Sequence, residues 1–192
     1  MKFQASKGCM MQYDDTQLMS RILEGDVSGY AVLVDRYKDL AYTIAFRILG
    51  KREDAEEVVQ DAFIKAFRNL PSFRQKSKFS TWLYRIVYNT AISKKRLKGL
   101  RFKSMEEMTF ADNRAETENE NEEDKARMLD LAMQQLPDDD RTIVTLYYLE
   151  ESSVEEIHTV LGLSKANVKI KLFRARKKLQ ELVMKSSVAV FS

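Results

Sequence analysis

Between Lys51 and Asn69 the apolar residues Ala55, Val58, Val59, Ala62, Phe63 and Ala66 return at helical spacing and fall on one broad face. The same spacing sets Asp54, Glu57 and Asp61 on a narrow edge beside that face. Pro71 ends the helix, and the polar, basic run Arg74 to Ser77 reads as a loop. A second helix is predicted to start near Ser80 and Thr81, both good N-cap residues. On it Leu83, Val87, Thr90 and Ala91 point one way, while Trp82, Arg85, Ile86, Asn89 and Ser93 form another stripe.

The C-terminal half repeats the helical period. Asp130 to Leu136 is apolar at that spacing, Leu136-Pro137 followed by three aspartates is a turn with helix-starting acids, and Ile143, Val144, Leu146, Tyr147 and Leu149 open another helix. A short helix over Val154–Leu161, a glycine at 162 and a capping Ser164 lead into a long helix from Lys165 to near Met184. Val168, Leu172, Ala175, Leu179 and Leu182 form the buried seam of that last helix. This is the outline of a helix-turn-helix.

With 192 residues, two prolines, six glycines and no alternating apolar runs, the chain reads as all-α, in two small helical domains. The expected division is a frayed start over 1–14, a helical domain over 15–103, a linker over 104–124, the helix-turn-helix domain over 125–185 and a frayed end over 186–192. Charge sharpens the division. Residues 1–103 hold 20 lysines and arginines against 11 acids, an excess that the whole-chain net charge of +3 conceals. Ser104 to Asp124 holds nine acids and one basic residue, Arg114, which is the composition of a flexible linker. Cys9 alone cannot build a disulfide framework and fits a reducing cytoplasm. Lys2 to Met11 has no apolar core of a signal peptide, no run reaches membrane-spanning length, and Val188 to Phe191 is too short to anchor.

An aromatic, a guanidinium and an amide on one helix face, at Trp82, Arg85 and Asn89, suit nucleic acid: rings stack on unpaired bases and Arg or Asn bond base edges or phosphates. Lys94, Lys95, Arg96, Lys98, Arg101 and Lys103 extend that helix as a cationic tail, which taken alone also complements a helix dipole. In the last helix Asn167, Lys169, Ile170, Lys171, Phe173, Arg174, Arg176, Lys177 and Lys178 lie off the buried seam, placed for a major groove with flanking phosphate contacts. Catalysis finds little support. There is no glycine-rich phosphate loop, no metal-spaced Cys/His cluster, and the single His158 has no second ligand nearby, so it reads as a partly buried side chain; no cofactor or metal is implied.

Two separated segments in the right order carry a resemblance. REDAEEVVQDAFIKAF resembles the polymerase-binding helix of the extracytoplasmic-function (group IV) sigma factors of bacterial RNA polymerase, FRQKSKFSTWLYRIVYNTA their −10 element, and VKIKLFRARKKL their −35 helix. The resemblance covers residues 15–98 and 125–183 and implies a cytoplasmic promoter-specificity subunit, with no enzyme activity of its own. It implies that Asp54, Glu57, Gln60 and Asp61 hold core polymerase (β and β′ subunits) through the clamp's basic coiled coil. Lys76, Ser77, Lys78 and Phe79 would receive a flipped non-template base, with Trp82, Arg85 and Asn89 lining the strand path. Asn167, Lys169, Ile170, Phe173 and Arg174 would read the −35 duplex, and Lys171, Arg176 and Lys177 its phosphates. The acidic linker would thread the basic channels of polymerase as a mimic of nucleic acid, and an anti-sigma factor would hold the protein inactive. The chain departs from the family at His158, where a small Ala is usual, at Glu151-Ser152, where Gly-Leu is commoner, and at Ile170, where a small polar residue is frequent. The resemblance therefore carries the docking mode and not the −35 sequence. Two rival readings are a stand-alone helix-turn-helix regulator, for which neither a dimer interface nor a sensor domain is legible, and a polymerase-binding decoy that has lost promoter reading.

Overall fold

A computed structural model describes residues 13–102 and 128–190, and among these the regular structure is helical, without a strand. In chain order the helices are α1 (Asp15–Leu23), α2 (Ser28–Leu49), α3 (Arg52–Asn69), α4 (Phe79–Phe102), α5 (128–134), α6 (Asp138–Leu149), α7 (Val154–Leu161) and α8 (Lys165–Val190). The expected linker and most of the frayed termini lie outside the described residues.

The N-terminal unit is α1 to α4. Asp14 starts α1 with a capping box: its carboxylate accepts from the Gln17 N–H at 2.8 Å while the Gln17 side chain accepts from the Asp14 N–H at 3.1 Å. The α3 face foreseen from its spacing is the buried one, with Ala55, Val58, Ala62, Phe63 and Ala66 inside. Three of those five are alanines, which lets α2 and α4 approach α3 closely, and the hydroxyl of Tyr30 on α2 donates to the Phe63 carbonyl at 2.5 Å. Pro71 does not end the helix bluntly. A 3-10 turn over Leu70–Ser72 tightens its last turn, buries Leu70 and swings the chain into the basic loop.

α4 departs from expectation in two respects. It begins at Phe79, so Ser80 and Thr81 sit buried in its first turn and do not cap it. It is also buried on two sides. Leu83, Val87 and Ala91 enter the core on one side, while Tyr84 and Tyr88, which the sequence reading left out, are also buried, Tyr84 with its ring edge-on to Tyr37 of α2 at 6.1 Å and Tyr88 with its hydroxyl donating to Asp139 of α6.

The C-terminal unit is α5 to α8. Gly162 adopts φ +71 and donates its N–H to the His158 carbonyl at 2.9 Å, closing α7 in the left-handed conformation that only glycine takes freely. Ser164 then caps α8 by accepting from the Asn167 N–H at 3.2 Å. Val168, Leu172 and Ala175 are buried, Leu179 and Leu182 partly so, and the helix runs past the expected end near Met184.

The two units pack directly on one another, α2 against α6 and α4 against α7. Arg141 on α6 is the polar joint: it donates to the carbonyls of Met133 at 2.9 Å, of Gln134 and Leu136 at 2.8 Å, and of Arg47 on α2. The Met133 and Gln134 carbonyls lie at the end of α5, that of Leu136 just beyond it and that of Arg47 in the last turn of α2, so one guanidinium closes two helix ends and joins two units. Arg47 returns the contact by donating to the Thr145 hydroxyl at 2.6 Å. Burial depresses the basicity of both guanidiniums, opposed at Arg47 by the Asp130 carboxylate and at Arg141 by that of Asp138.

Candidate nucleic-acid interface

Of the four residues expected to hold polymerase, the structure turns one inward. The Asp54 carboxylate is nearly enclosed between Lys94, at 3.3 Å, and Lys98 of α4. Lys94 also reaches Glu57 at 2.6 Å. Burial raises the Asp54 pKa, but the bonds from Lys98 and Lys94 outweigh it and hold the carboxyl below its ordinary value. Asp54 thus ties α3 to α4. Glu57, Gln60 and Asp61 remain on the exposed edge, next to an apolar cleft lined by Val27, Tyr30, Phe63, Ile64 and Phe67.

The loop between the 3-10 turn and α4 is shaped by Gln75, which stands at φ +52. Lys76 and Lys78 are exposed and Ser77 half-buried, whereas Phe79 is only 2% exposed. Phe79 packs against Phe73, Tyr37 and Trp82 with ring centres 5.6 to 6.3 Å apart, and Phe73 lies 4.8 Å from Trp82. The loop is therefore anchored by an aromatic cluster whose outer member is Trp82. Arg85 and Asn89 follow it on the exposed side of α4.

Beneath the loop lies a cavity of about 610 Å³, lined by Asp15, Arg36, Tyr37, Ser77, Lys78, Phe79 and, from the C-terminal unit, Glu150. Its inner wall is tied together at Asp15, which accepts from Arg36 at 2.5 Å and from the Tyr37 hydroxyl. Glu150 was absent from the residues singled out in the sequence, where it is one more acid at a helix end. Burial raises its pKa and nearby Lys78 lowers it, with a net rise. Its neighbour in the fold, Glu156 on α7, pairs with Lys78 at 2.8 Å.

On α8 the expected groove-facing residues separate into two sets. Asn167, Lys169, Ile170, Phe173, Arg174 and Lys177 are exposed, with Phe173 at 69%. Lys171 instead turns toward α6, pairing with Asp140 at 2.9 Å and Asp139 at 3.4 Å. Arg176 lies over the rings of Tyr147 and Tyr148 at 4.9 and 5.4 Å. Both still present cationic surface beside the exposed row. Among the described residues no cluster of His, Cys, Asp and Glu could hold a metal ion, and no helix is long and apolar enough to cross a membrane.

The described fold is thus two helical units, one with an aromatic-basic helix and one with a helix-turn-helix. Residues 33–100 match the family model described as Sigma-70 region 2, and residues 126–179 that of Sigma-70, region 4. The chain is 32% identical over 174 residues to the ECF RNA polymerase sigma factor SigW of Bacillus subtilis, covering 85% of this chain and 93% of that one. It is 34% identical over 183 residues to the ECF RNA polymerase sigma-E factor of Escherichia coli K12, covering 90% and 95%. A similar fold occurs in the sigma factor RpoE of Bartonella quintana, solved in complex with the anti-sigma factor NepR, with a TM-score of 0.67, 24% identity, and coverage of 79% of this chain and 94% of that one.

The chain belongs to the extracytoplasmic-function family of RNA polymerase sigma factors, with the region 2 match, 33–100, falling within α2–α4 and the region 4 match, 126–179, reaching from α5 into α8. It is a promoter-specificity factor for transcription initiation that works with core RNA polymerase on promoter DNA.

Proposed function

We propose that this sigma factor docks on polymerase through Glu57, Gln60 and Asp61, captures the non-template −10 strand with the loop Lys76–Phe79 and the stripe Trp82, Arg85 and Asn89, and reads −35 duplex with the exposed row of α8. Asp54 serves the first of these indirectly, by fixing α3 against α4. The observation that carries the reading is the exposed face of α8, where Asn167, Lys169, Ile170, Phe173, Arg174 and Lys177 stand clear of the fold directly after a capped helix-turn-helix.

In −10 capture, Trp82 offers a ring at the edge of its aromatic cluster, and Lys76 and Lys78 attract the strand's phosphates. Extruding a base costs a few kcal/mol, which a snug pocket recovers. Buried Phe79 acts from below, as the floor that holds the loop in shape, and does not stack on a base itself. In −35 reading, Asn167, Arg174 and the apolar pair Ile170 and Phe173 face base edges, while Lys171, Arg176 and Lys177 flank the groove. Neither unit need bind tightly, because polymerase fixes their separation and converts two weak contacts into one strong one. RNA synthesis belongs to polymerase and this chain catalyses nothing. It acts in the cytoplasm, where an anti-sigma factor restrains it.

Mixing the protein with bacterial core polymerase and genomic DNA, and mapping transcript 5′ ends that need both, tests the reading. Discrete starts preceded by a shared −35/−10 pair are expected. Polymerase binding without new starts would mark a decoy, and operator binding without polymerase a stand-alone regulator.

A further inference from the structure

We propose that the −35 element is read in part through the C5 methyl group of thymine, which docks on an apolar stripe of Ala166, Ile170 and Phe173 along the outward face of α8, with Ile170 setting the preference. The proposal rests on the −35 reading made above and deepens it. The three residues recur at i, i+4 and i+7, so they lie in one line along the helix. All three are exposed, Ile170 at 47% and Phe173 at 69%, and they lie opposite the buried seam of Val168, Leu172 and Ala175. Helix propensity gives no reason for Ile170 and Phe173 to stand there, since both are poorer helix formers than the lysines and arginines around them. The apolar line is therefore a surface to be covered.

Charge decides what covers it. From Lys165 to Lys178 the helix carries seven lysines and arginines and no acid. By helical spacing Asn167 and Arg174 edge the stripe on one side and Lys169 and Arg176 on the other, and all four are exposed. An apolar line between two polar, cationic rims fits a groove with phosphate along both walls, and in the major groove of DNA the apolar group is the thymine methyl. Ala166 lies in the turn capped by Ser164, the end at which a recognition helix reaches the bases. Ile170, at the middle of the line, discriminates in two ways. It gains by taking a methyl out of water, and it leaves the amino group of a cytosine without the hydrogen-bond partner that a small polar residue at this position would supply.

The test uses the full chain with core polymerase on a promoter mapped as above and built from synthetic DNA. Each thymine of the −35 element, on either strand, is replaced in turn by deoxyuridine, which pairs identically and lacks only the methyl. The readout is the rate of run-off transcription with the holoenzyme below half-saturation. At one position or more, loss of the methyl is expected to lower the rate about fourfold, the effect of returning one methyl to water. At the position that faces Ile170, Ile170→Ser is expected to use thymine and deoxyuridine templates at equal rates, whereas Ile170→Val keeps the difference. Deoxyuridine on the unsubstituted protein gives the first result without relying on a variant. Equal rates for thymine and deoxyuridine throughout, or a −35 element with thymine on neither strand, would overturn the proposal; the −35 reading itself stands if scrambling that element still abolishes transcription. Transcription indifferent to scrambling would remove that reading and the proposal with it. A methyl effect that persists in Ile170→Ser would also overturn the proposal, because the methyl would then act through the shape of the DNA.

Discussion

The imidazole Nδ1 of His158 lies 2.5 Å from the carbonyl oxygen of Leu163, so the family's usual alanine is replaced here by a side chain that bridges the turn of the helix-turn-helix. A carbonyl can only accept, so Nδ1 carries the proton and donates. The bond fixes the residue just before the Ser164 cap, and with it the angle at which α8 leaves the turn. His158→Ala should cost about 1 kcal/mol, the usual net value of one such bond, read as a lower midpoint in thermal unfolding. An unchanged midpoint would mean that the turn holds without it.

Glu151 stands at φ +50, where the family more commonly has glycine. The bend lets the Ser152 N–H donate to the Leu146 carbonyl at 3.0 Å, closing the end of α6. A non-glycine residue in this conformation carries roughly 1 kcal/mol of strain. Glu151→Gly is therefore expected to stabilise the protein by about 0.5 kcal/mol or more, seen in urea unfolding as a higher midpoint at unchanged slope.

Acid should weaken the joint between α3 and α4. Asp54 has its pKa lowered in the fold because Lys98 and Lys94 outweigh its desolvation. Its charged form thus contributes stability that is present above the unfolded aspartate pKa near 4 and is lost as pH falls through the lower folded value. Asp54→Asn should lower stability at neutral pH and flatten the stability curve below about pH 4. Denaturant unfolding across the acid range reads both effects, and a variant whose curve keeps the same acid limb would rule out Asp54 as its source.

Glu150 has the opposite sign. Its folded pKa is raised, chiefly by burial, so its ionised form opposes the folded state above that value and the opposition fades on acidification. Glu150→Gln is expected to raise the unfolding midpoint at neutral pH and to converge with the unsubstituted protein as pH falls.

Phe173→Ala and Arg174→Ala should each lower −35-dependent transcription by about five- to a hundredfold, the range of one to three kcal/mol per base contact. Because both side chains are exposed, unfolding midpoints and polymerase binding should not move. Asp61→Lys should do the reverse, losing polymerase binding, and with it transcription from every promoter, while the unfolding midpoint stays in place because the side chain is exposed.

The helices were legible because their causes are local. The α3 face, the Gly162 turn and the Ser164 cap each follow from side chains within about one helical turn of one another, and the burial found on α3 and α8 matches the predicted periods. The candidate interface was legible only in outline. Spacing grouped Asp54 with Glu57 and Asp61, but which carboxylate turned inward depended on Lys94 and Lys98, 40 and 44 positions further along. Phe79 read as part of a loop and is buried, because Tyr37 and Phe73 converge on it from other elements.

By itself the sequence determined the helical class, the two units and their order, the helix-turn-helix and the cationic stripes, since hydrophobic period and capping chemistry act over a few residues. Only the tertiary structure decided that α4 is buried on two faces, that Arg141 ties α6 to the end of α2, and that Glu150 and Glu156 meet the loop at Lys78. These contacts join residues about 70 to 95 positions apart, and the local periodicities that specify each helix carry no information about which exposed charges will meet once the helices pack.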